Sequence, residues 1–131
     1  MKLLSEDIQK YSKYLFFFCL IGILAVSSIP KFNVNSYDVG DSGFNIRLDY
    51  LLHFLAYTAL SGFFLIWRKD RWFVSLVIIV LLGVSVAFLT EYMQHFIAGR
   101  TYNLVDFYFN LAGVLTGSVG SYVIKYFITP S

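Results

Sequence analysis

The sequence predicts an all-α integral membrane protein, a bundle of four transmembrane helices with both termini in the cytoplasm. Three observations carry this reading. First, 58% of the residues are hydrophobic, only 14% are charged, and the mean hydropathy is +0.68. A chain of 131 residues also holds 14 phenylalanines and 10 tyrosines. A soluble domain of that size keeps much of its surface wet and could not hide so much apolar area. Second, the apolar residues fall into four runs of roughly the 17–25 residues that a spanning helix needs. Third, two of the three links between runs are short, which makes neighbouring helices antiparallel hairpins. The length suggests a single domain over residues 1–131.

The first run, residues 14–29, ends at Pro30. It is short unless residues 10–13 add an interfacial turn. Lys2, Lys10 and Lys13 ahead of it, with Ala25, Val26 and Ser27 behind, also give the outline of a cleavable signal peptide. Four helices pack more readily than three, so the spanning reading is preferred. A loop rich in Asn, Ser, Asp and Gly follows, up to Arg47. The second run is about 50–67 and the third about 72–97, joined by the turn Arg68, Lys69, Asp70, Arg71. The fourth is about 104–128, with Lys125 placed to snorkel to its end. Gly113 and Gly117 form a GxxxG pattern, which lets helices approach closely. It is expected to hold the fourth helix against the third.

Basic residues set the orientation. With four spans, Lys2, Lys10, Lys13, Arg68, Lys69, Arg71 and Lys125 share one side, and Lys31, Arg47 and Arg100 share the other. The richer side is cytoplasmic, so the long loop and the 98–103 turn face outward. Trp67 and Trp72 flank the inner turn, as interfacial anchors do. A net charge of +2 without a basic stripe argues against a nucleic-acid partner. Cys19, the single cysteine, forms no intrachain disulfide and belongs to no zinc-type spacing.

Polar residues break the apolar pattern at one level. Asp49, His53 and Tyr57 are four apart at the outer start of the second helix. Glu91, Gln94 and His95 sit near the outer end of the third, and Asp106 and Asn110 are four apart at the start of the fourth. Arg100 lies in the turn between these two helices. Three- and four-residue spacing puts each set on one helical face. An acidic group at the centre of a spanning helix costs about 2.5–3.5 kcal/mol on insertion scales, so such groups face a bundle interior or a wet cavity and pair there. Asp49 and Asp106 also lie near helix N-termini, where the dipole favours an anion. Each residue also has a plainer role open to it: a cap, a packed tyrosine, an interhelical hydrogen bond or a positional ion pair.

The segments DYLLHFLAY and EYMQHFIAGRTYNLVDFYFNLAGVLTG resemble the VanZ-like family of small bacterial membrane proteins. The shared pattern is Asp49, His53, Phe54 and Tyr57, then Glu91, Gln94, Gly99 and Arg100, then Asp106, Asn110 and Gly113. Tyr50 stands where the family usually carries Lys, and His95 is at a variable position. The resemblance spans about residues 49–117. It implies a multi-pass protein of the bacterial cell membrane and links the chain to envelope biology and teicoplanin resistance. It supplies no reaction.

The functional expectation is an outward-facing polar pocket that binds or modifies a lipid headgroup or a cell-wall precursor. Its partners would be membrane lipids and a lipid-linked cell-wall precursor or a glycopeptide. His53, Glu91, Arg100 and Asp106 are the candidate catalytic residues. His53 and Glu91 would form the acid/base pair, and Arg100 would grip a phosphate or carboxylate. Asp49, Tyr57, Gln94 and Asn110 are the candidate substrate-binding residues. No GxSxG or placed nucleophilic cysteine exists, so hydrolysis would need water or a metal. No cofactor is expected. A divalent metal on His53, His95, Glu91 and Asp106 is the weaker version, since the residue types suit it but no HExxH spacing is present. The alternatives are a non-enzymatic shielding protein that alters antibiotic access, and a small transporter.

Overall fold

The structure is a computed structural model. It describes the backbone of residues 2–29, 48–68, 72–97 and 104–128, and the side chains of residues 6–29, 50–68, 72–97 and 104–124. Four α-helices follow one another: α1 (Lys2–Ser27), α2 (Leu48–Trp67), α3 (Trp72–Gln94) and α4 (Leu104–Ile128). No strand occurs among the described residues. Each helix contains a stretch long and apolar enough to cross a membrane: Glu6–Ser27, Tyr50–Trp67, Trp72–Gln94 and Leu104–Ile124. The protein is a multi-pass membrane protein.

Two boundaries differ from the sequence reading. α1 begins at Lys2, well before the apolar run, because no Gly or Pro interrupts residues 2–13 and a helix needs no apolar side chains to propagate there. Its last turn holds Ala25–Ser27, and Ser27 is buried against the bundle. α3 ends at Gln94 and not near residue 97; residues 95–97 continue as a turn held by bonds such as Ile97 N to Gln94 O (3.1 Å).

The outside of the bundle is apolar. Phe18, Ile21, Leu81, Phe88, Leu115 and Val119 all point away from the other helices. That is the surface lipid tails require, and it gives the helices no hydrophobic reason to associate. Association must come from close packing and polar contacts, and the buried faces are built accordingly. In α4 the buried stripe is Asp106, Asn110, Gly113, Gly117 and Ser121, at spacings of three or four. In α3 it is Ser75, Ile79, Gly83, Ala87, Thr90, Glu91 and Gln94. Small side chains let the backbones approach, and several buried serines are satisfied within their own helices. Ser61 donates to Tyr57 O (3.0 Å), Ser118 to Val114 O (2.7 Å) and Ser121 to Ser118 O (2.8 Å).

α2 and α4 make the most extensive pairing. This corrects the expected role of the GxxxG pattern. Gly113 and Gly117 face α2 and not α3: a Cβ at Gly113 would stand 2.5 Å from Phe54 O, and one at Gly117 would collide with Ser61 Oγ and Thr58 O. α3 meets α4 through Gly83, against which Val114 packs. At the other end, α1 is fixed by rings. Phe16 packs in tilted contact with Phe64 (5.3 Å) and Trp67 (5.9 Å), and Lys13 Nζ lies 5.7 Å from the Trp67 ring centre. Trp72 meets Tyr122 at 5.4 Å. Both tryptophans therefore stand at the end of the bundle that carries the short α2–α3 turn. Aromatic pairs are worth about 0.5–1.5 kcal/mol each beyond the area they cover. Phe16→Ala is accordingly expected to lower bundle stability by about 1–3 kcal/mol through its two interhelical pairs, read as a shift in a detergent denaturation curve.

Candidate functional site

The helices run alternately up and down, so the end of α3 and the starts of α2 and α4 lie at one end of the bundle. His53 is five residues into α2, Glu91 three residues before the end of α3, and Asp106 two residues into α4. At 1.5 Å per residue these depths are about 8, 5 and 3 Å. Glu91 is shallower than a helix running to residue 98 would place it.

The three side chains meet. One ligand-type atom from each of His53, Glu91 and Asp106 lies within 4.8 Å of the other two. Glu91 is fully buried, Asp106 is 5% exposed, and His53 is half-buried. The two carboxylates are therefore shielded more completely than the imidazole. Asp106, in the first turn of α4, also lies where that helix presents unpaired N–H groups and the positive end of its dipole.

Asn110, one turn further along α4 and fully buried, accepts a hydrogen bond from His53 through Oδ1 at 3.0 Å from Nδ1. A carbonyl oxygen can only accept, so Nδ1 is the donor in this bond. The amide thus fixes the orientation of the imidazole. Asn110 Nδ2 and Gln94 Nε2 are buried and have no hydrogen-bond partner among the described residues. A buried donor left unmatched costs about 1–3 kcal/mol. Both amides therefore favour an acceptor beside them.

Tyr57, on the same face of α2 one turn below His53, is buried, with its hydroxyl 3.5 Å from Thr90 Oγ1. Thr90 in turn donates to Ala87 O (3.0 Å). Thr90 is a neighbour of Glu91 that the sequence reading passed over. The signal available for it was a polar residue beside Glu91 inside an otherwise apolar run. Tyr50 stacks on Phe109 at 5.2 Å and 21°, so at this position α2 carries a ring that helps seat α4. His95 is not part of the cluster: it lies past the end of α3, is exposed, and packs edge-on against Phe96. The proposed ligand set of His53, His95, Glu91 and Asp106 is thus reduced to three. Asp49 falls in the first turn of α2, but its side chain, like the whole of Arg100, lies outside the described residues.

A family model described as VanZ/LLP1 matches residues 4–125. The chain belongs to the VanZ/LLP1 family. The match extends well beyond the 49–117 stretch that carries the recognisable motifs, and takes in α1 and most of α4. The VanZ/LLP1 pattern is therefore a property of the whole bundle, and its polar motifs are the residues that converge at one end. No curated protein and no solved structure matches the chain.

Proposed function

We propose that this VanZ/LLP1 protein resides in the bacterial cell membrane with its polar cluster toward the outer face and both termini in the cytoplasm. There it binds or modifies the headgroup of a lipid or of a lipid-linked cell-wall precursor, and through that contributes to glycopeptide (teicoplanin) resistance. One observation carries this reading: His53, Glu91 and Asp106 come from three different helices and meet within 4.8 Å in a bundle whose outer surface is apolar. Ionisable groups inside a membrane are expensive and by default mark a functional site.

The division of labour follows from burial. His53, the least buried of the three, acts as the proton acceptor and is held in place by Asn110. Glu91, fully buried, is the partner that accepts or returns a proton in a water-poor setting. Gln94 and Asn110 offer amide N–H groups to the oxygens of a headgroup. Tyr57 backs the site and keeps α2 against Thr90 of α3.

The test is a susceptibility assay in a teicoplanin-sensitive bacterium. The wild-type chain is expected to raise the inhibitory concentration, and His53→Ala to return it to the level of the empty vector at equal membrane abundance. Full protection by His53→Ala would contradict the proposal. Loss of protection only in step with loss of abundance would favour the alternative, a shielding protein whose cluster clamps its own helices. The His53–Asn110 bond is the observation that speaks for that second reading.

A further inference from the structure

We infer that His53, Glu91 and Asp106 form a divalent-cation site, suited to Mn²⁺ or Zn²⁺, at the end of the bundle where α3 ends and α2 and α4 begin. The inference deepens the headgroup reading and rests on it only for the cation's purpose; the site itself stands on geometry.

The donor set is one imidazole nitrogen and two carboxylates, each on its own helix, with all three ligand atoms within 4.8 Å of one another. Ligands sharing one ion at bonds of about 2.0–2.2 Å stand no more than about 4.4 Å apart, so small side-chain rotations close the set. Imidazole with carboxylates suits zinc and manganese, whereas thiolates are absent here and calcium prefers an all-oxygen shell.

Two independent features point the same way. The Nδ1 of His53 is held by a buried amide carbonyl, which fixes the ring with Nε2 on the opposite side. Metal-bound histidines almost always have such a partner on the second nitrogen. The other feature is the pair of buried amide nitrogens, Asn110 Nδ2 and Gln94 Nε2, without a partner among the described residues. Neither can bind a cation. Both can donate to oxygens that a cation holds. Three protein ligands leave positions open on the ion, and water or an anionic oxygen of a headgroup in those positions would meet the amides. That arrangement presents an activated oxygen or a polarised phosphoryl group at the edge of the membrane.

The experiment uses the full chain in lipid nanodiscs, stripped with chelator and titrated with Mn²⁺ or Zn²⁺ alone. Binding is read by calorimetry and by metal content after gel filtration. About one ion per chain is expected for the wild type and for His95→Ala, whose side chain is outside the cluster. His53→Ala and Asp106→Asn should lose the ion. Asn110→Ala should weaken it by about 10–100-fold, the usual effect of removing the partner of a metal-bound histidine. Helicity by circular dichroism identifies any variant that fails to fold, and Glu91→Gln, close to isosteric, serves as the second ligand variant. Equal, near-zero content in wild type and His53→Ala would overturn the site. So would equal binding by all variants, the mark of an adventitious ion only. If the ion binds as described but His53→Ala still protects against teicoplanin, the cation site stands and the headgroup reading falls. If no ion binds yet His53→Ala abolishes protection, the reverse holds.

Discussion

Gly117→Ala should be among the most damaging single substitutions in the bundle, costing about 3 kcal/mol or more. A Cβ there overlaps Ser61 Oγ and the carbonyl of Thr58, and the second of these is backbone that cannot rotate away. The only relief is to push α2 from α4. Those helices make the most extensive pairing in the bundle, and lipid tails reward no looser arrangement. The same displacement would pull His53 from Asn110, since that bond crosses the same interface. Gly120→Ala provides the comparison. Nothing lies within 4 Å of a Cβ at Gly120, so that variant should fold as well as the wild type. Parallel denaturation in detergent measures both. Equal stability of the two variants would show that the α2–α4 contact is looser than described.

The second large effect is at Glu91, and there the two readings predict different outcomes. Glu91→Gln keeps the shape of a fully buried side chain and removes its ability to exchange a proton. If Glu91 only clamps helices, a neutral amide should serve nearly as well. If it does chemistry, activity should fall by about 10²–10⁴-fold, the usual worth of a positioned acid or base. Stability should meanwhile stay level or rise, because an amide is easier to bury than a carboxylate. Function lost with stability kept or gained is a signature that a structural role does not give. It is read by pairing the susceptibility assay with thermal denaturation of the purified variant.

The four spans were legible in the sequence because run length and composition alone decide them. So was the level at which polar residues gather, since antiparallel hairpins bring the end of α3 to the starts of α2 and α4. The rotation of each helix was much harder to read. In water an apolar stripe marks the buried face, but in a bilayer both faces are apolar and that marker vanishes. Phe88 points outward and Ile79 inward within one apolar helix, and nothing in their chemistry separates them. What does mark the buried face is small and polar residues, as the stripes through Ser75, Gly83 and Thr90 and through Gly113, Gly117 and Ser121 show. Read that way, the sequence held the α4 interface in plain view. Its partner could not be assigned, because a glycine face says that a neighbour comes close without saying which one. The end of α3 was misplaced for a related reason. His95, Phe96 and Ile97 suit a helix, and only the backbone bonds show that they turn. That turn carries His95 away from the cluster although it is four residues from Glu91.

The proposed function requires the cluster to lie at the outer face of the membrane. In a Cys19→Ala background, Ile97→Cys places a thiol in the turn at the cluster's end, and Arg68→Cys places one just past the far end of α2. Labelling of intact cells with a membrane-impermeant maleimide compares them directly. We expect Ile97→Cys to react from outside and Arg68→Cys to react only after the cells are opened. The opposite pattern would put His53, Glu91 and Asp106 against the cytoplasm and contradict the proposed function.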